Sequence, residues 1–300
     1  MRRAAAAALV ALLVSPACSA GMSGDGAGDT AAGDVRIVTL TAGLTEVVFA
    51  LGLGDHVVAR DLSSTLDAAS HLPIVTNEHE VNPEAVLAVS PTVVLVDDQT
   101  GPASAIEQLR EVGVRVEVVP AATRVDQIGT RLREVGEVLG AAERAETLAA
   151  QIEREIEAMG TPSAAGAVRV AFLYVRGPAG VYLMGGPGSG PDSLIAAAGA
   201  IDAGTDIGLE RAFTPLTPEA MVEAAPDVIL LTTTGLDSVS GIDGLLKLSG
   251  VAQTPAGRAK RIITAEDGLL FSFGPRTPAL IDVLRSEIDR LMADGGGGDA

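Results

Sequence analysis

A chain of 300 residues with 47% hydrophobic side chains can bury one or two sizeable cores, which excludes a disordered chain. Its 39 acidic against 21 basic residues leave a net charge of −18, so the surface repels phosphates and excludes DNA or RNA as a partner. Aromatic residues are scarce, with no Trp, two Tyr and five Phe, and a single Cys excludes both an intramolecular disulfide and a cysteine-cluster metal site.

At the start of the chain, Arg2 and Arg3 precede an apolar run from Ala4 to Val14, too short for the ~20 residues that span a bilayer as a helix. Residues 1–17 therefore predict a secretory signal peptide. The run ends in Ser15-Pro16-Ala17-Cys18, and a small residue before a lone Cys resembles a lipobox, with Ser15 standing where a Leu is usual. Cys18 is expected to be lipidated and to become the new N-terminus. The loss of two arginines would take the charge from −18 to −20. Residues 18–34, rich in Gly and Asp and nearly free of apolar side chains, predict a flexible tether. The expected arrangement is a globular body exported to the outer face of the cytoplasmic membrane and held there by lipid.

From Val35 the chain alternates β-branched runs with helical patterns. Strands are expected at Val35–Leu40, Val57–Val58, Val93–Val96 and Val114–Val118, with helices at Leu44–Leu51, Pro83–Ala88 and Ile106–Val112. This rhythm predicts a parallel α/β sheet over an N-terminal lobe, residues 35–122. Residues 123–160 carry Ile128, Leu132, Val135, Leu139, Leu148 and Ile152 at steps of three and four and predict one long linking helix, interrupted near Gly140. A C-terminal lobe, residues 161–294, follows. It has strands at Val168–Val175, Val228–Leu231 and Ile262–Thr264, helices at Ser193–Ala198, Pro218–Ala224, Ile242–Leu246 and Pro278–Leu291, and a structureless tail at 295–300.

The two halves share a plan. Residues 81–95 coincide with 216–230 at six of fifteen positions, offset by 135, and Val35-Arg36-Ile37 matches Val168-Arg169-Val170 at an offset of 133. The fold expected is therefore α/β, with two similar lobes on parallel-rich sheets and a ligand cleft between them. In each repeat Asn82 or Thr217 is placed to cap a helix, Pro83 or Pro218 opens it, and Glu84 or Glu219 meets its positive end. Helix capping accounts for those acids, and so does a two-sided partner that docks on one acid per lobe.

The lipobox Cys18, Thr45-Glu46 after the first strand, the paired Pro-Glu-Ala motifs and the linking segment together resemble the substrate-binding lipoproteins of ABC importers for iron complexes and cobalamin, over residues 35–292. Asn77-Glu78-His79-Glu80 and Leu173-Tyr174-Val175-Arg176-Gly177 are similar, more narrowly, to the haem-uptake binding proteins called HmuT. The resemblance implies a monomeric binding protein, not an enzyme, that delivers haem to an ABC permease and ATPase complex. It implies iron held between His79 of the first lobe and Tyr174 of the second, with Arg176 supporting the Tyr. Glu84 and Glu219 would face arginines of the permease. Phe273-Gly274-Pro275-Arg276 is a further similarity, which adds Arg276 to the expected haem-binding residues.

The chemistry of the residues agrees with that set. Phe172, Tyr174 and Arg176 share one face of a strand, near the end where α/β sheets place their ligands. Phenolate is a hard anionic ligand suited to ferric haem, and a free Tyr ionises near pH ~10, so a neighbouring cation such as Arg176 helps. Core packing of Tyr174 and a solvated loop position for His79 are the structural alternatives. Tyr182, in the return strand Val181–Met184, is expected to pack or to form wall, and His56, on a short strand after Gly54-Asp55, and His71 to be surface or loop residues. Gly185 to Gly190 lacks the Lys-Ser/Thr ending of a phosphate loop and is expected to lead into a helix capped by Asp192 or Ser193. A ferric siderophore or a corrinoid remains the alternative cargo on the same fold. A small-molecule enzyme or an adhesion module would leave the cleft and the duplicated acids without a role.

Overall fold

A computed structural model describes residues 35–77, 80–160 and 168–295. The expected signal peptide and tether, Cys18, His79 and residues 296–300 lie outside the described residues. Among those described, no helix is long and apolar enough to cross a membrane.

The first lobe contains β1 (Ile37–Thr39), α1 (Ala42–Ala50), β2 (Val57–Arg60), β3 (Thr76–Asn77), β4 (Glu80–Val81), α2 (Pro83–Ala88), β5 (Val93–Val96), α3 (Ala103–Glu111) and β6 (Arg115–Val118). Its main sheet runs β2-β1-β5-β6, parallel throughout, and β3 and β4 form a separate antiparallel pair. Continuous burial of Val93 to Val96 reflects a strand covered on both faces, which is why that segment reads as an unbroken apolar run.

Residues 123–160 do not form one helix. A 3₁₀ turn at Val125–Gln127 leads into α4 (Ile128–Val138), and a break at Leu139 to Ala141 precedes α5 (Ala142–Ala158). Gly140 sits at φ +68°, where the chain reverses at little steric cost, and α5 folds back on α4. Gly136 lies so close to the Ala145 side chain that a Cβ there would collide with it, so the two helices cross at close range. Arg133 then clamps them by donating to Glu146 at 2.6 Å and to Glu153 at 2.7 Å. The linker is a helical hairpin.

The second lobe holds β7 (Arg169–Arg176), β8 (Val181–Gly185), α6 (Pro191–Ala197), β9 (Ile201–Asp202), α7 (Ala203–Asp206), β10 (Phe213–Pro215), α8 (Pro218–Ala224), β11 (Val228–Thr232), α9 (Thr233–Ser238), α10 (Ile242–Leu245), α11 (Pro255–Ala259), β12 (Ile262–Ala265), α12 (Asp267–Ser272) and α13 (Thr277–Gly295). Its sheet runs β10-β8-β7-β11-β12, with β9 also paired to β7; β8 and β10 are antiparallel to their neighbours and the other pairings are parallel. The repeat is visible in the register. Ile37 pairs with Val93 in the first lobe as Val170 pairs with Val228 in the second, but β7 has eight residues where β1 has three. One hydrophobic core runs through both lobes and the hairpin between them, from Ile37 and Leu44 through Leu132 to Phe172 and Leu284.

Two smaller expectations are corrected. His56 lies in a 3₁₀ turn, Gly54–His56, rather than on a strand. The helix after the glycine-rich loop is capped by Gly190 at φ 94°, not by Asp192 or Ser193; Pro191 opens it, and the Asp192 carboxylate instead accepts from the Gly188 and Gly190 N–H groups.

Candidate functional site

A cleft of about 630 Å³ opens between the lobes, within the ~300–1,000 Å³ typical of small-molecule sites. Its walls differ in chemistry. The second lobe supplies an aromatic wall: Tyr174, Phe213, Phe271 and Phe273. The first lobe and the hairpin supply a polar one, from Thr41 to Gly43 at the start of α1, Asp61 and Ser63 after β2, Thr76 of β3, Asp97, Gln99 and Thr100 after β5, and Arg131 of α4.

Tyr174 is half-buried on β7, one step outward from fully buried Phe172. Its ring meets Phe213 and Phe271 edge-on, with centroids 5.9 and 6.4 Å away. Among the described residues its hydroxyl makes no hydrogen bond, so the phenol is not spent on the core. Arg176 lies on the same side, as the alternation of β7 requires, but its guanidinium carbon stands over the Tyr174 ring, 4.5 Å from the centroid. Arg176 thus stacks on the ring face rather than bonding to the phenol oxygen. Asp267 at the start of α12 sets that position. It accepts from Arg176 Nη2 at 2.6 Å and from the Thr234 hydroxyl at 2.8 Å. Tyr182 pairs with Val175 across β8 and packs on the opposite face of the sheet, away from the cleft.

Arg276 does not line the cleft. Its guanidinium donates to Glu46 of α1, whose side chain is only 3% exposed, through Nε at 3.0 Å and through Nη2. The pair ties α1 to the turn before α13, where Gly274 leaves room for the Glu46 carboxylate. Arg276 therefore ties the second lobe to the first through Glu46, and is not among the residues that line the cleft, where a haem contact was expected of it. His79 lies between the paired residues Asn77 and Glu80, outside the described residues, while Thr76 and Val81 on the same two strands line the cleft.

Glu84 and Glu219 are both exposed and both occupy the first turn of a capped helix. Asn82 accepts from the Ala85 N–H at 3.0 Å and Thr217 from the Ala220 N–H at 3.1 Å, so the caps are made by those side chains and neither Glu carboxylate is needed for them. Asp61 is buried, and that desolvation, only partly offset by bonds from Ser63, raises its carboxyl above the usual range.

Sequence reasoning missed Arg131, Asp267 and three of the aromatic residues. Arg131 carried a signal: it falls in the stripe of Ile128, Leu132 and Val135, where a charge interrupts the apolar register of α4. Among the described residues no cluster of His, Cys, Asp and Glu could hold a bare metal ion.

Residues 37–268 match the family described as "Periplasmic binding protein". An ABC transporter substrate-binding lipoprotein of Bacillus subtilis, YvrC, is 25% identical over 84% of this chain and 79% of its own length. The vitamin B12-binding protein of Yersinia pestis is 28% identical over 52% of this chain, which spans about half of that relative (51%). Among solved structures, the periplasmic haem-binding protein RhuT of Roseiflexus in its apo form superposes with a TM-score of 0.80 at 38% identity, covering 86% of this chain and 99% of RhuT. The haem-binding protein BhuT in complex with two haems gives a TM-score of 0.77 at 30% identity, over 85% and 98%.

Proposed function

Because the chain belongs to the periplasmic binding protein family, whose members hold a substrate outside the cytoplasm for an ABC importer and are not enzymes, we propose that its cargo is ferric haem, with Tyr174 as the principal iron ligand. The observation that carries this reading is the half-buried Tyr174 phenol, free of hydrogen bonds among the described residues and set in an aromatic wall under Arg176. Haem brings four equatorial nitrogens of its own, so one or two protein ligands suffice and no metal-binding cluster is required. The aromatic wall suits the apolar face of a porphyrin. His79 would be the opposite ligand, supplied by the first lobe. The similarity to haem-binding RhuT and BhuT over most of their length supports the same cargo.

Glu84 and Glu219, one exposed acid per lobe, would meet basic residues of the importer's permease. Cys18 would carry the lipid that holds the protein at the membrane, and the tether would give it reach. A corrinoid is the second reading, favoured by the B12-binding relatives. Titration of the purified protein with haemin and, separately, with cyanocobalamin tests both. A saturable shift of the haemin Soret band is expected. Binding of cyanocobalamin without any haemin shift would overturn the haem reading.

A further inference from the structure

Arg131 is a buried guanidinium with little to hold it. It is 4% exposed, yet its hydrogen bonds are long, 3.4 Å to the Ser272 carbonyl and 3.3 Å to the Thr41 hydroxyl. Its one ion-pair partner among the described residues, Asp97, holds Oδ2 3.7 Å from Nη2, beyond hydrogen-bond reach, and among the described residues Nε has no acceptor. Desolvation pulls its pKa below the usual arginine range, although nearby acids oppose this. Arg60 shows what a structural arginine looks like in this protein. It is 9% exposed and donates to the carbonyls of Ala69, Asp61 and Ser64 at 2.9 to 3.0 Å, outside the cleft. A buried charge left short of acceptors is costly, and Arg131 spends that cost on the cleft wall.

A second set of donors faces the same place. The nine-residue helix α1 begins at Ala42, with Thr41 as its cap accepting from the Leu44 N–H. The N–H groups of Ala42 and Gly43 have no intrahelical acceptor by position and none elsewhere among the described residues, and both residues line the cleft. Gly43 makes the convergence possible. A Cβ there would stand 2.7 Å from Arg131 Nη1 and would collide with the Ser272 carbonyl, so no side chain separates the start of α1 from the guanidinium. First-turn donors, the positive end of a helix and a guanidinium form an anion receptor.

We propose that Arg131, Thr41 and the first-turn N–H groups of Ala42 and Gly43 receive a carboxylate of the cargo. The identity of that carboxylate rests on the haem reading, in which it is a porphyrin propionate. The receptor completes the hydrogen bonding that Arg131 lacks, and it makes the cleft discriminate between cargo that carries an acid and cargo that does not.

Haemin and its dimethyl ester share ring and iron and differ in the two carboxylates, so their affinities separate this role from a structural one. The wild-type protein is expected to prefer haemin by about tenfold or more. Arg131→Gln should abolish the preference while leaving ester affinity within about twofold, and Arg131→Lys, which keeps charge without the planar fork, should fall between. Equal weakening of both ligands in Arg131→Gln, or an unchanged ratio, would overturn the receptor. Should Arg131→Gln fail to fold, an unchanged ratio in Arg131→Lys would do the same. If the wild-type protein takes up neither porphyrin, the haem reading fails by itself, and thermal melting in sodium propanoate against sodium chloride at equal ionic strength still reads the receptor. Stabilisation by propanoate in the wild type but not in the variant supports it, and equal curves refute it.

Discussion

Replacing Tyr174 by Phe removes the proposed iron ligand and almost nothing else. The ring keeps its edge-on contacts with Phe213 and Phe271, and the hydroxyl gives up no hydrogen bond among the described residues, so stability should stay within about 0.5 kcal/mol of wild type. Tyr174→Ala instead loses both aromatic contacts, worth ~0.5–1.5 kcal/mol each, and part of the apolar burial, for a total of about 2–3 kcal/mol. The two variants should nevertheless lose haem alike, since both lack the phenolate. Removing a direct ligand should cost at least the ~10–100-fold in affinity that loss of a supporting outer residue costs. The assay is the visible spectrum of haemin-loaded protein together with its release rate to an excess of scavenger, with Tyr182→Phe as control because Tyr182 packs on the other face of the sheet. If Tyr174→Phe keeps the spectrum and release rate of Tyr182→Phe, Tyr174 is not the ligand. A loss confined to Tyr174→Ala would assign the residue to packing.

The double variant Glu84→Arg with Glu219→Arg should abolish uptake through the importer while leaving haemin titration unchanged and the melting temperature only slightly lowered by the cations placed at two positive helix ends, because both acids are exposed and their helices are capped by Asn82 and Thr217; transport that survives the double reversal would return the acids to a local role. Arg176→Ala should speed haemin release about tenfold, and Asp267→Ala should reproduce much of that effect. Asp267→Asn should largely rescue it, since an amide oxygen can still accept from the guanidinium; wild-type release rates in both alanine variants would show that neither residue supports Tyr174. Asp61, whose carboxyl is raised by desolvation, binds its proton more tightly when folded than when unfolded. Its contribution therefore falls as pH rises from the ordinary carboxylate range through the raised folded value. Asp61→Asn should gain stability over wild type across that window, read from urea midpoints at acidic and neutral pH, and a difference independent of pH would contradict the burial argument.

Much of this architecture is legible in the sequence because it is periodic. The α2 and α8 boundaries, Pro83–Ala88 and Pro218–Ala224, are set by a capping side chain and a proline at the first helical position, which are local signals. Tyr174 and Arg176 are legible as a pair because strand alternation fixes their common side. What alternation leaves open is depth and angle: Arg176 stacks on the ring because Asp267, ninety-one residues away, draws it there. The same limit explains the linking segment. Its apolar register continues through the Gly140 break, and it takes the close contact of Gly136 with Ala145 and the Arg133 bonds to Glu146 and Glu153 to show that α5 folds back on α4. Arg276 is visible as a motif but not as a partner of Glu46, since that pairing spans 230 residues and needs the lobes assembled.

The unequal lengths of β1 and β7 give the duplication a functional history. Carried a few residues beyond the strands, the offset of 133 sets Thr41 against Tyr174 and Gly43 against Arg176, and all four line the cleft. After its third residue the first copy leaves the sheet and turns into α1, exposing backbone donors. The second copy stays extended into the β8 hairpin and presents a phenol and a guanidinium. A gene that had doubled and kept both copies alike would face its ligand with the same groups twice. The difference at one strand end equips the two lobes with different groups, so a change that made the repeats more alike at these positions would restore symmetry to the chain at the expense of the proposed binding site.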